Sequence, residues 1–378
     1  MKKIAYLGPR GTFSEQAALN YLGNQQAELV PCQSLEEVCL GVDGGHYTEG
    51  ILPLENLIEG SVNPVLDLLL ELPGLKIQAE MLLPVAHHLL VRPGSTCQDI
   101  RTVLSHPQAL AQCRRYLARR FPAAKLLPVE STALAASMVA EGETELAAIG
   151  TLAAARHYNL TTLEENIHDQ SNNCTRFVVV GQGDTPYRNV PYKTSLVVSM
   201  IDRPGALYSL LKEFAWRGVN LTRIESRPAR TYLGEYIFFI DLEGHRHQPA
   251  VKEALREIAV QSRQIRVLGC YPAGQRTDCQ ENRKKEETLE ELRADIDIID
   301  RQIIELLGKR AKLVTRVGEI KQPNGQVRDP AREAQVLAQV RRLAQHHGLS
   351  QDITETVYRI LMDYFVDIQL NQVTSQTL

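Results

Sequence analysis

The chain has 378 residues, 44% of them hydrophobic and 23% charged, a composition typical of a globular protein of two or three domains. The formal net charge is -3, so the charge balance does not favour nucleic acid or an acidic membrane as a partner. No apolar run approaches the roughly 20 residues that a membrane-spanning helix needs. The basic start Met1-Lys2-Lys3 precedes only a short apolar run, which we interpret as a first strand rather than a signal peptide, and we expect a cytoplasmic protein.

The cysteines and histidines give no indication of a metal site. The seven cysteines are scattered and include no C-x-x-C pair, which is typical of reduced thiols. The histidine pairs His87-His88, His245 with His247, and His346-His347 lack carboxylates or thiolates at ligand spacing. The sequence therefore predicts neither a metal nor a cofactor.

Residues 1–183 alternate short β-like runs with helical runs, which predicts an α/β domain with a mainly parallel sheet. The predicted strands are Lys3–Leu7, Gly50–Pro53, Lys76–Leu83, Val103–Ser105, Leu146–Ile149 and Arg176–Val180. The predicted helices are Ser14–Tyr21, Leu35–Val42, Pro64–Glu71, Pro107–Arg120 and Thr132–Glu141. Ligands of such sheets bind on the loops at strand ends, so we expect the chemistry there.

Four loops of this region carry glycine-rich or polar motifs. The run Gly8–Ser14 (GPRGTFS) could present backbone N–H groups to an anion at a helix start, and a structural turn capped by Ser14 is the alternative. It lacks the G-x-G-x-x-G and GK[ST] patterns, which excludes dinucleotide and P-loop sites. The other motifs are Pro53–Asn56 (PLEN), Ser105–Cys113 (SHPQALAQC), where Ser105 could cap a helix, and Asn172–Phe177 (NNCTRF), where a hydroxyl stands beside a cation.

In their order and approximate spacing, the motifs G-P-x-G-T-F-S, P-L-E-N, S-H-P-Q-A and T-R-F resemble those of the prephenate dehydratase family. The resemblance implies a two-lobed fold similar to that of periplasmic binding proteins, with the substrate in the cleft. It implies that Thr175 is the essential threonine. The other residues implied for the site are Asn56, Ser105 and Gln112, with substrate contacts from Thr12, Phe13, Glu55, Arg176 and Phe177. Leu57 departs from the family, which usually has Ser or Thr there.

The chemistry of that family accounts for these residue types. Prephenate loses its ring carboxylate and its ring hydroxyl, and aromatisation drives the reaction. The protein must hold a dianion and supply a hydrogen-bond donor or weak acid where hydroxide leaves. Our hypothesis is that Thr175 is this donor and that Arg176, with loop amides, orients the carboxylates.

Residues 184–190 are a plausible linker, and residues 191–273 follow the β-α-β-β-α-β order of ferredoxin-like domains. The predicted elements are strands Thr194–Met200, Val219–Glu225, Glu235–Leu242 and Ile265–Tyr271, with helices Pro204–Arg217 and Ala250–Gln261. The G-A-L and E-S-R-P runs in this region resemble those of ACT regulatory domains, where they form a phenylalanine pocket between two subunits. The resemblance implies allosteric inhibition by phenylalanine in a homodimer or homotetramer. The implied pocket residues are Gly205, Ala206, Leu207, Asn220, Leu221, Glu225, Ser226, Arg227 and Pro228.

Residues 274–287 are polar and highly charged, which predicts a flexible linker before an all-helical region, 288–378. Apolar residues then repeat at helical spacing as far as a break at Pro323-Asn324-Gly325, and two more helical patterns follow at 330–346 and 351–371. Three helices with one very long member do not make a good small bundle alone. We therefore expect this region to dimerise.

Basic residues interrupt or flank the apolar stripe of the long helix, and a solvated basic face is the simplest explanation for any one of them. Arg310 and Lys321 share a helix face about 16 Å apart, so their long side chains could bracket a small dianion. Arg293 lies about 25 Å from Arg310 and about 100° round the helix. It could therefore serve only the site of an antiparallel partner helix.

Residues 288–371 resemble the all-helical chorismate mutase family. The motifs that carry the resemblance lie at Leu292–Asp300, Leu306–Arg310, Val317–Lys321 and Val327–Glu333. The resemblance implies the following roles: Arg293 from the partner chain, Arg310 and Arg332 gripping the substrate, Lys321 and Gln369 at the ether oxygen, and Asp329 and Glu333 near the hydroxyl. Phe365 stands where the family has serine. Rearrangement of chorismate to prephenate is unimolecular and needs no nucleophile or cofactor.

The product of one expected site is the substrate of the other, so the leading interpretation is a bifunctional enzyme of phenylalanine synthesis. Three alternatives stay open. One activity alone survives, with Leu57 or Phe365 marking the degenerate site. In the second alternative, the chain is a non-enzymatic amino-acid sensor, although a sensor needs neither Thr175-Arg176 nor the cationic residues of the long helix. In the third alternative, the dehydratase acts on arogenate.

Overall fold

The computed structural model describes residues 2–170, 172–201, 203–228, 236–274, 289–321, 328–346 and 348–375. The chain forms two compact units, Met1–Glu281 and Asn282–Leu378. The predicted linker 274–287 lies almost entirely outside the described residues. Each helix in the described ranges is too short or too polar to cross a bilayer.

The first 183 residues contain two sheets, each with its own helices. The elements in chain order are β1 (Lys3–Leu7), α1 (Phe13–Leu22), β2 (Glu28–Cys32), α2 (Leu35–Asp43), β3 (Glu49–Asn56), β4 (Gly60–Ser61), α3 (Asn63–Glu71), β5 (Leu75–Pro84), β6 (His88–Val91), β7 (Thr102–Ser105), α4 (Pro107–Gln112), α5 (Arg114–Arg120), β8 (Lys125–Pro128), α6 (Thr132–Glu141), β9 (Leu146–Gly150), α7 (Leu152–His157), β10 (Thr161–Glu164) and β11 (Cys174–Gln182). The first sheet has the order β2-β1-β3-β11-β5, with β4 on β3, and the second has the order β10-β6-β9-β7-β8.

Both sheets are mixed, which corrects the prediction of a mainly parallel sheet. Strand β1 is parallel to β2 and β3, and β7 is parallel to β8 and β9. Strand β11, however, runs antiparallel between β3 and β5, and β6 runs antiparallel between β9 and β10. The reason is that the chain leaves the first sheet at Pro84 and re-enters it beside that residue, at Cys174, so that β11 runs back along β5. The predicted helix Pro107–Arg120 is also broken, at Cys113.

Two segments connect the sheets, residues 85–87 from β5 to β6 and residues 165–173 from β10 to β11. They lie side by side, because the Val85 amide donates to the Asn173 carbonyl and the Ile167 amide donates to the His87 carbonyl, both at 2.9 Å. We call them the paired crossovers. Each sheet has its own apolar core, and the paired crossovers lie where the two meet.

The third sheet of unit 1 comes from β12 (Tyr192–Met200), α8 (Ala206–Ala215), β13 (Leu221–Pro228), β14 (Tyr236–Glu243), α9 (Pro249–Gln261) and β15 (Ser262–Pro272). It is antiparallel, in the order β13-β14-β12-β15. Both helices pack on one face, over Leu196, Val198 and Ile240. The opposite face contributes Val197 and Phe239 to the core of the first sheet, so the two sheets share buried apolar surface.

Unit 2 consists of α10 (Leu289–Lys321), α11 (Pro330–His346) and α12 (Gln351–Ser375). Helix α12 contacts both of the others. Its buried side chains Met362 and Phe365 and those of α11 form the small interior. The apolar stripe of α10 is between 43% and 78% exposed at Leu289, Leu292, Ile296, Ile299, Ile303, Leu306, Leu313, Val317 and Ile320.

Candidate active site

A cleft of about 760 Å³ lies between the first and second sheets, beside the paired crossovers. One wall is made by the ends of β1 and β3 and by the starts of β11 and α1. The other is made by the starts of α4 and α6. The predicted residues that line it are Thr12, Phe13, Asn56, Gln112, Thr175 and Phe177.

Thr175 and Asn56 form a hydrogen-bonded pair on neighbouring strands. They are register partners on β11 and β3, and the Asn56 Nδ2 donates to the Thr175 Oγ1 at 2.8 Å. The amide of Asn56 is itself oriented, because its Oδ1 accepts from the backbone N–H groups of Ile58 (3.0 Å) and Glu59 (3.2 Å). The Thr175 hydroxyl is thus used as an acceptor by Asn56, which leaves its proton available to the cleft.

Gln112 ends helix α4 and lies among buried polar groups of the paired crossovers. Its Oε1 lies 2.8 Å from the His87 Nε2 and accepts from the Asn173 Nδ2 at 3.2 Å. His87 and Asn173 are each 3% exposed. Burial lowers the pKa of His87 from its ordinary 6.5 to about 4.

The glycine-rich turn after β1 is anchored to both sheets. Thr12, not the expected Ser14, is the N-cap of α1, with its Oγ1 accepting from the Glu15 amide at 3.3 Å. Gly11 has φ +84°, and a Cβ there would lie 3.0 Å from the Ala154 Cα. Glycine is therefore required both by the backbone conformation and by the close approach of α7. Ser14 is buried and lines the cleft.

The structure corrects the expected role of Ser105. Its side chain is fully buried at the end of β7, where the hydroxyl donates to the Ile149 carbonyl at 2.7 Å. It does not lie on the cleft wall. It also does not cap α4, because the N-cap is His106, whose Nδ1 accepts from the Gln108 amide at 3.3 Å. Ser105 therefore secures two neighbouring strands instead of reaching the site.

Arg176 and Glu55 also require correction, because successive strand residues point to opposite faces. The Arg176 guanidinium is buried against the third sheet, 2.8 Å from Glu80, 2.5 Å from Asp241 and 2.8 Å from the Tyr271 hydroxyl. Glu55 lies 3.8 Å from Arg176, beside a second cavity of about 1000 Å³ between the first and third sheets. Arg176 therefore cannot orient a carboxylate in the cleft that Thr175 faces.

Several cleft residues were not assigned to the site from the sequence. They are Pro9, Ser14, Glu59, Ser61, His87, His106, Glu130, Ser131 and Thr132. Glu130 lies between β8, a strand absent from the predicted elements, and α6, a helix that was predicted, and Thr132 is the first residue of α6. Among the described residues, no group of three or more His, Cys, Asp or Glu side chains could hold a metal ion.

The expected phenylalanine residues are divided between the two faces of β13. Glu225 accepts hydrogen bonds from Ser61 and Arg223, and Arg227 pairs with Asp67 at 2.6 Å, so both point at the first sheet region. Ser226 and Pro228, at the alternate positions of β13, are exposed. Gly205, the N-cap of α8, is also exposed and has φ +83°. Ala206 and Leu221 are partly buried at the helix-covered core, Leu207 is exposed, and Asn220 lines the second cavity.

In unit 2, Arg310 and Gln369 lie at the contact between α10 and α12. The Arg310 guanidinium stacks on the Phe365 ring at 4.4 Å from its centroid, and the Gln369 Nε2 donates to the Val314 carbonyl at 2.7 Å. The Arg310 Nη1 is buried and, among the described residues, has no hydrogen-bond partner. This nitrogen is therefore shielded from water without a hydrogen bond in exchange.

The other expected residues of unit 2 that the structure describes lie on α10 and around the start of α11. Asp329 caps α11 through the Arg332 amide at 3.0 Å, and the side chain of Arg332 is exposed, 3.3 Å from Gln335. Glu333 is partly buried on the first turn of α11, and Arg293 is exposed on α10. The Lys321 side chain lies outside the described residues.

Comparison with known proteins assigns each region. Family models match for prephenate dehydratase over residues 4–185, the ACT domain over 194–260 and chorismate mutase type II over 292–370. A bifunctional chorismate mutase/prephenate dehydratase of Aquifex aeolicus is 41% identical over 270 residues, covering 71% of this chain and 73% of that protein. A prephenate dehydratase of Methanocaldococcus jannaschii is 44% identical over 276 residues, covering 72% of this chain and 98% of that protein.

Among solved structures, the prephenate dehydratase of Arthrobacter aurescens in complex with L-Phe is 36% identical, with a TM-score of 0.67, over 80% of this chain and 99% of that one. The three family matches occur in the order that the sequence motifs predicted, so that assignment is confirmed. The chain belongs to the prephenate dehydratase family, in a form that carries an ACT domain and then a type II chorismate mutase domain.

Proposed function

We propose that this chain makes phenylpyruvate from chorismate in two steps, with phenylalanine as feedback inhibitor. Unit 2 rearranges chorismate to prephenate, and the cleft of unit 1 converts prephenate to phenylpyruvate, CO2 and water. The observation that carries the proposal is the Thr175–Asn56 pair, because it presents a hydroxyl proton to a cleft of substrate size. The family assignment and the bifunctional relative support both steps.

In the dehydratase step, the C–C bond to the ring carboxylate breaks and CO2 leaves. The electron pair of that bond completes the aromatic ring, and the C–O bond to the ring hydroxyl breaks. The departing hydroxide leaves as water after taking up a proton. Thr175 donates a hydrogen bond to that oxygen as its charge develops, and Asn56 keeps the hydroxyl in place.

The other polar groups of the cleft hold the dianion. Backbone N–H groups at the start of α1, a helix of 10 residues, favour a carboxylate. Phe13 and Phe177 line the cleft and supply apolar contact for the ring. The two sheets then act as the lobes of a binding-protein-like fold, and the third sheet acts as a ferredoxin-like regulatory domain.

In the mutase step, the site compacts the substrate and stabilises charge on the breaking ether oxygen. Arg310 is the strongest candidate for gripping a carboxylate, since its buried Nη1 has no described hydrogen-bond partner. Lys321 and Gln369 are proposed at the ether oxygen, Arg332 at a carboxylate, and Asp329 and Glu333 near the hydroxyl. Arg293 is proposed to come from a second copy of the chain, paired through the exposed stripe of α10.

Phenylalanine is proposed to bind at the G-A-L and E-S-R-P segments of the ACT domain, in a homodimer or homotetramer. The relative solved with L-Phe supports this ligand. The segments are suited to regulation because β13 contacts Ser61, a residue of the cleft wall. A cytoplasmic location remains part of this proposal.

The test is an assay with chorismate as the only substrate, following chorismate loss and phenylpyruvate formation with and without phenylalanine. We expect both, with phenylpyruvate formation suppressed by phenylalanine. Accumulation of prephenate alone would leave only the mutase. If chorismate is unchanged, prephenate and then arogenate are supplied directly, and inactivity on all three would contradict the proposal in favour of a sensor.

A further inference from the structure

The amide of Gln112 is oriented by two buried groups whose function is not assigned. We propose that His87 and Asn173 are positioning residues for the dehydratase step, which turn the amide NH2 of Gln112 toward an anionic oxygen of the substrate. The proposal rests on the dehydratase function of the cleft. Neither residue touches the Thr175–Asn56 pair through a described hydrogen bond, so this is a second and separate arrangement in the same cleft.

The contacts of the Gln112 amide fix its direction. Its Oε1 is bound by two nitrogen atoms, the His87 Nε2 at 2.8 Å and the Asn173 Nδ2 at 3.2 Å. An amide oxygen only accepts, and it has two lone pairs, so both are occupied. The Nε2 of Gln112 is then turned away from the crossovers. It is buried, it has no described partner, and the residue lines the cleft.

The contacts of His87 indicate its protonation state. Donation to Gln112 requires the proton on Nε2, and the neutral ring then has an unprotonated Nδ1. That Nδ1 is buried without a described partner, which favours a neutral ring over a charged one. The ring also lies edge-on to Phe13, 5.7 Å between centroids, so it is held on its other side by a residue of the cleft wall.

The two donors to Gln112 lie on different crossovers. His87 is the last residue of the first crossover, and Asn173 is the last residue of the second. Their backbones are tied together through Val85 and Ile167. Gln112, in contrast, belongs to the helix that follows β7 of the second sheet. The three side chains therefore set the donor at a fixed position relative to both walls of the cleft.

The ligand of the Gln112 NH2 group is an oxygen that is anionic or becomes so, because a buried N–H donor gains most from a charged acceptor. In prephenate the candidates are a carboxylate and the departing hydroxyl. If the donor meets charge that develops in the transition state, its loss lowers kcat more than it raises KM.

The experiment is a double-mutant cycle on the full-length enzyme with prephenate as substrate. The variants are His87→Phe, Gln112→Ala and the pair together, with His88→Phe as the matched control. His88 is the neighbouring histidine, 4% exposed, and it does not line the cleft. A second donor variant, Asn173→Ser, is measured in case His87→Phe fails to fold, and calorimetry checks the folding of each.

We expect His87→Phe to lower the dehydratase kcat about 10- to 100-fold, with a smaller change in KM, and His87→Gln, which keeps an N–H donor, to restore part of it. In the Gln112→Ala background His87→Phe should have almost no further effect, because the residue acts through Gln112. Equal losses in both backgrounds, or an equal loss in His88→Phe, would overturn the proposal. An inactive wild-type enzyme would instead contradict the dehydratase function itself.

Discussion

At the scale of single residues, the position of the Thr175 hydroxyl depends on a short chain of hydrogen bonds. Two backbone amides fix the Asn56 Oδ1, the Asn56 Nδ2 then donates to Thr175, and Thr175 is left with a proton to donate. The two amides belong to the turn that follows β3, and the Asn56–Thr175 bond joins β3 to β11, which are paired in register at this point. The position of the Thr175 hydroxyl therefore depends on these hydrogen bonds and not on the other residues of the cleft.

Thr175→Ala should lower dehydratase kcat by about 10²- to 10³-fold, because a preorganised donor to the departing oxygen is lost. Thr175→Ser retains the hydroxyl and should recover most of the rate. The measurement is the initial rate of phenylpyruvate formation from prephenate. The chorismate mutase rate of the same samples is the control and should not change. Near-normal turnover by Thr175→Ala would assign the proton donor elsewhere.

His87 makes stability depend on pH. Its pKa falls from 6.5 to about 4 on folding, so between those values the unfolded chain binds more protons than the folded chain. Its contribution is complete above 6.5 and is lost as the pH falls toward 4, by about 3 kcal/mol in all. The melting temperature of unit 1, measured by calorimetry, should therefore decline as the pH is lowered from 6.5 to 4. The decline should be smaller in His87→Gln. Parallel pH profiles for the two proteins would contradict this.

The sequence allowed the motif residues to be found, but not the direction of their side chains. Thr175 and Arg176 are adjacent in one motif, yet one faces the cleft and the other faces the third sheet. Their directions follow from strand alternation, which requires the strand, its partners and its register to be known. Ser105 was misassigned for a related reason, because its hydroxyl satisfies a neighbouring strand instead of starting the helix.

At the scale of elements, two of the contacts between the dehydratase and ACT domains involve elements of the cleft wall. The edge strand β13 directs Glu225 and Arg227 at Ser61 and Asp67, which lie on β4 and α3. Strand β11 directs Arg176 into the third sheet. Strands β4 and β11, which both contribute residues to the cleft wall, are therefore in contact with the ACT domain.

The contact of β13 should carry part of the phenylalanine response. Asp67→Asn weakens the pair with Arg227, which holds the proposed phenylalanine segment against α3. Because Asp67 does not line the cleft, uninhibited turnover should stay near wild type while the phenylalanine concentration for half inhibition changes several-fold. Asp184→Asn, which breaks the exposed Asp184–Arg246 pair at 2.9 Å, is the control. Identical inhibition curves for all three proteins would exclude this route.

The Arg176 network should dominate the stability of the contact. Burial raises the pKa of Asp241, but the Arg176 and Arg223 charges and a hydrogen bond from Ser195 outweigh it, so the pKa is lowered and the group is ionised. Asp241→Asn removes the charge opposite Arg176 and should cost about 3–5 kcal/mol. A double Arg176→Met, Asp241→Leu variant should regain much of it, measured by calorimetry of unit 1. Equal losses in both variants would show that the pair does not control stability.

At the scale of the whole molecule, the order of the three domains was predictable because each has a distinct local pattern. The helical period of α10 and the alternation of the α/β region are visible without any partner. The mixed pairing of the two dehydratase sheets was not predictable, since it depends on contacts between strands far apart in the chain, such as β3 and β11. The exposed stripe of α10 likewise identifies an unfilled surface without identifying its partner.

A second copy of the chain is the partner that the Arg293 proposal requires, and mixing variants tests it. Arg293→Ala and Arg310→Ala should each abolish most mutase activity. In a mixed dimer, one site would combine Arg293 of one chain with Arg310 of the other and be intact, while the other site would lack both. With random exchange, half of the dimers are mixed, so about one quarter of wild-type mutase activity should return.

The dehydratase activity of the mixture provides the internal control, because neither arginine belongs to unit 1. It should match that of wild type before and after mixing. A charged substitution in the stripe, Ile303→Glu, should prevent the recovery, since an unpaired charge in an apolar interface opposes association. If mixing restores no mutase activity although mass measurements show exchanged dimers, Arg293 does not act across chains. Arg293 would then have no part in the mutase site, since it lies too far from Arg310 along α10 to share a site within one chain.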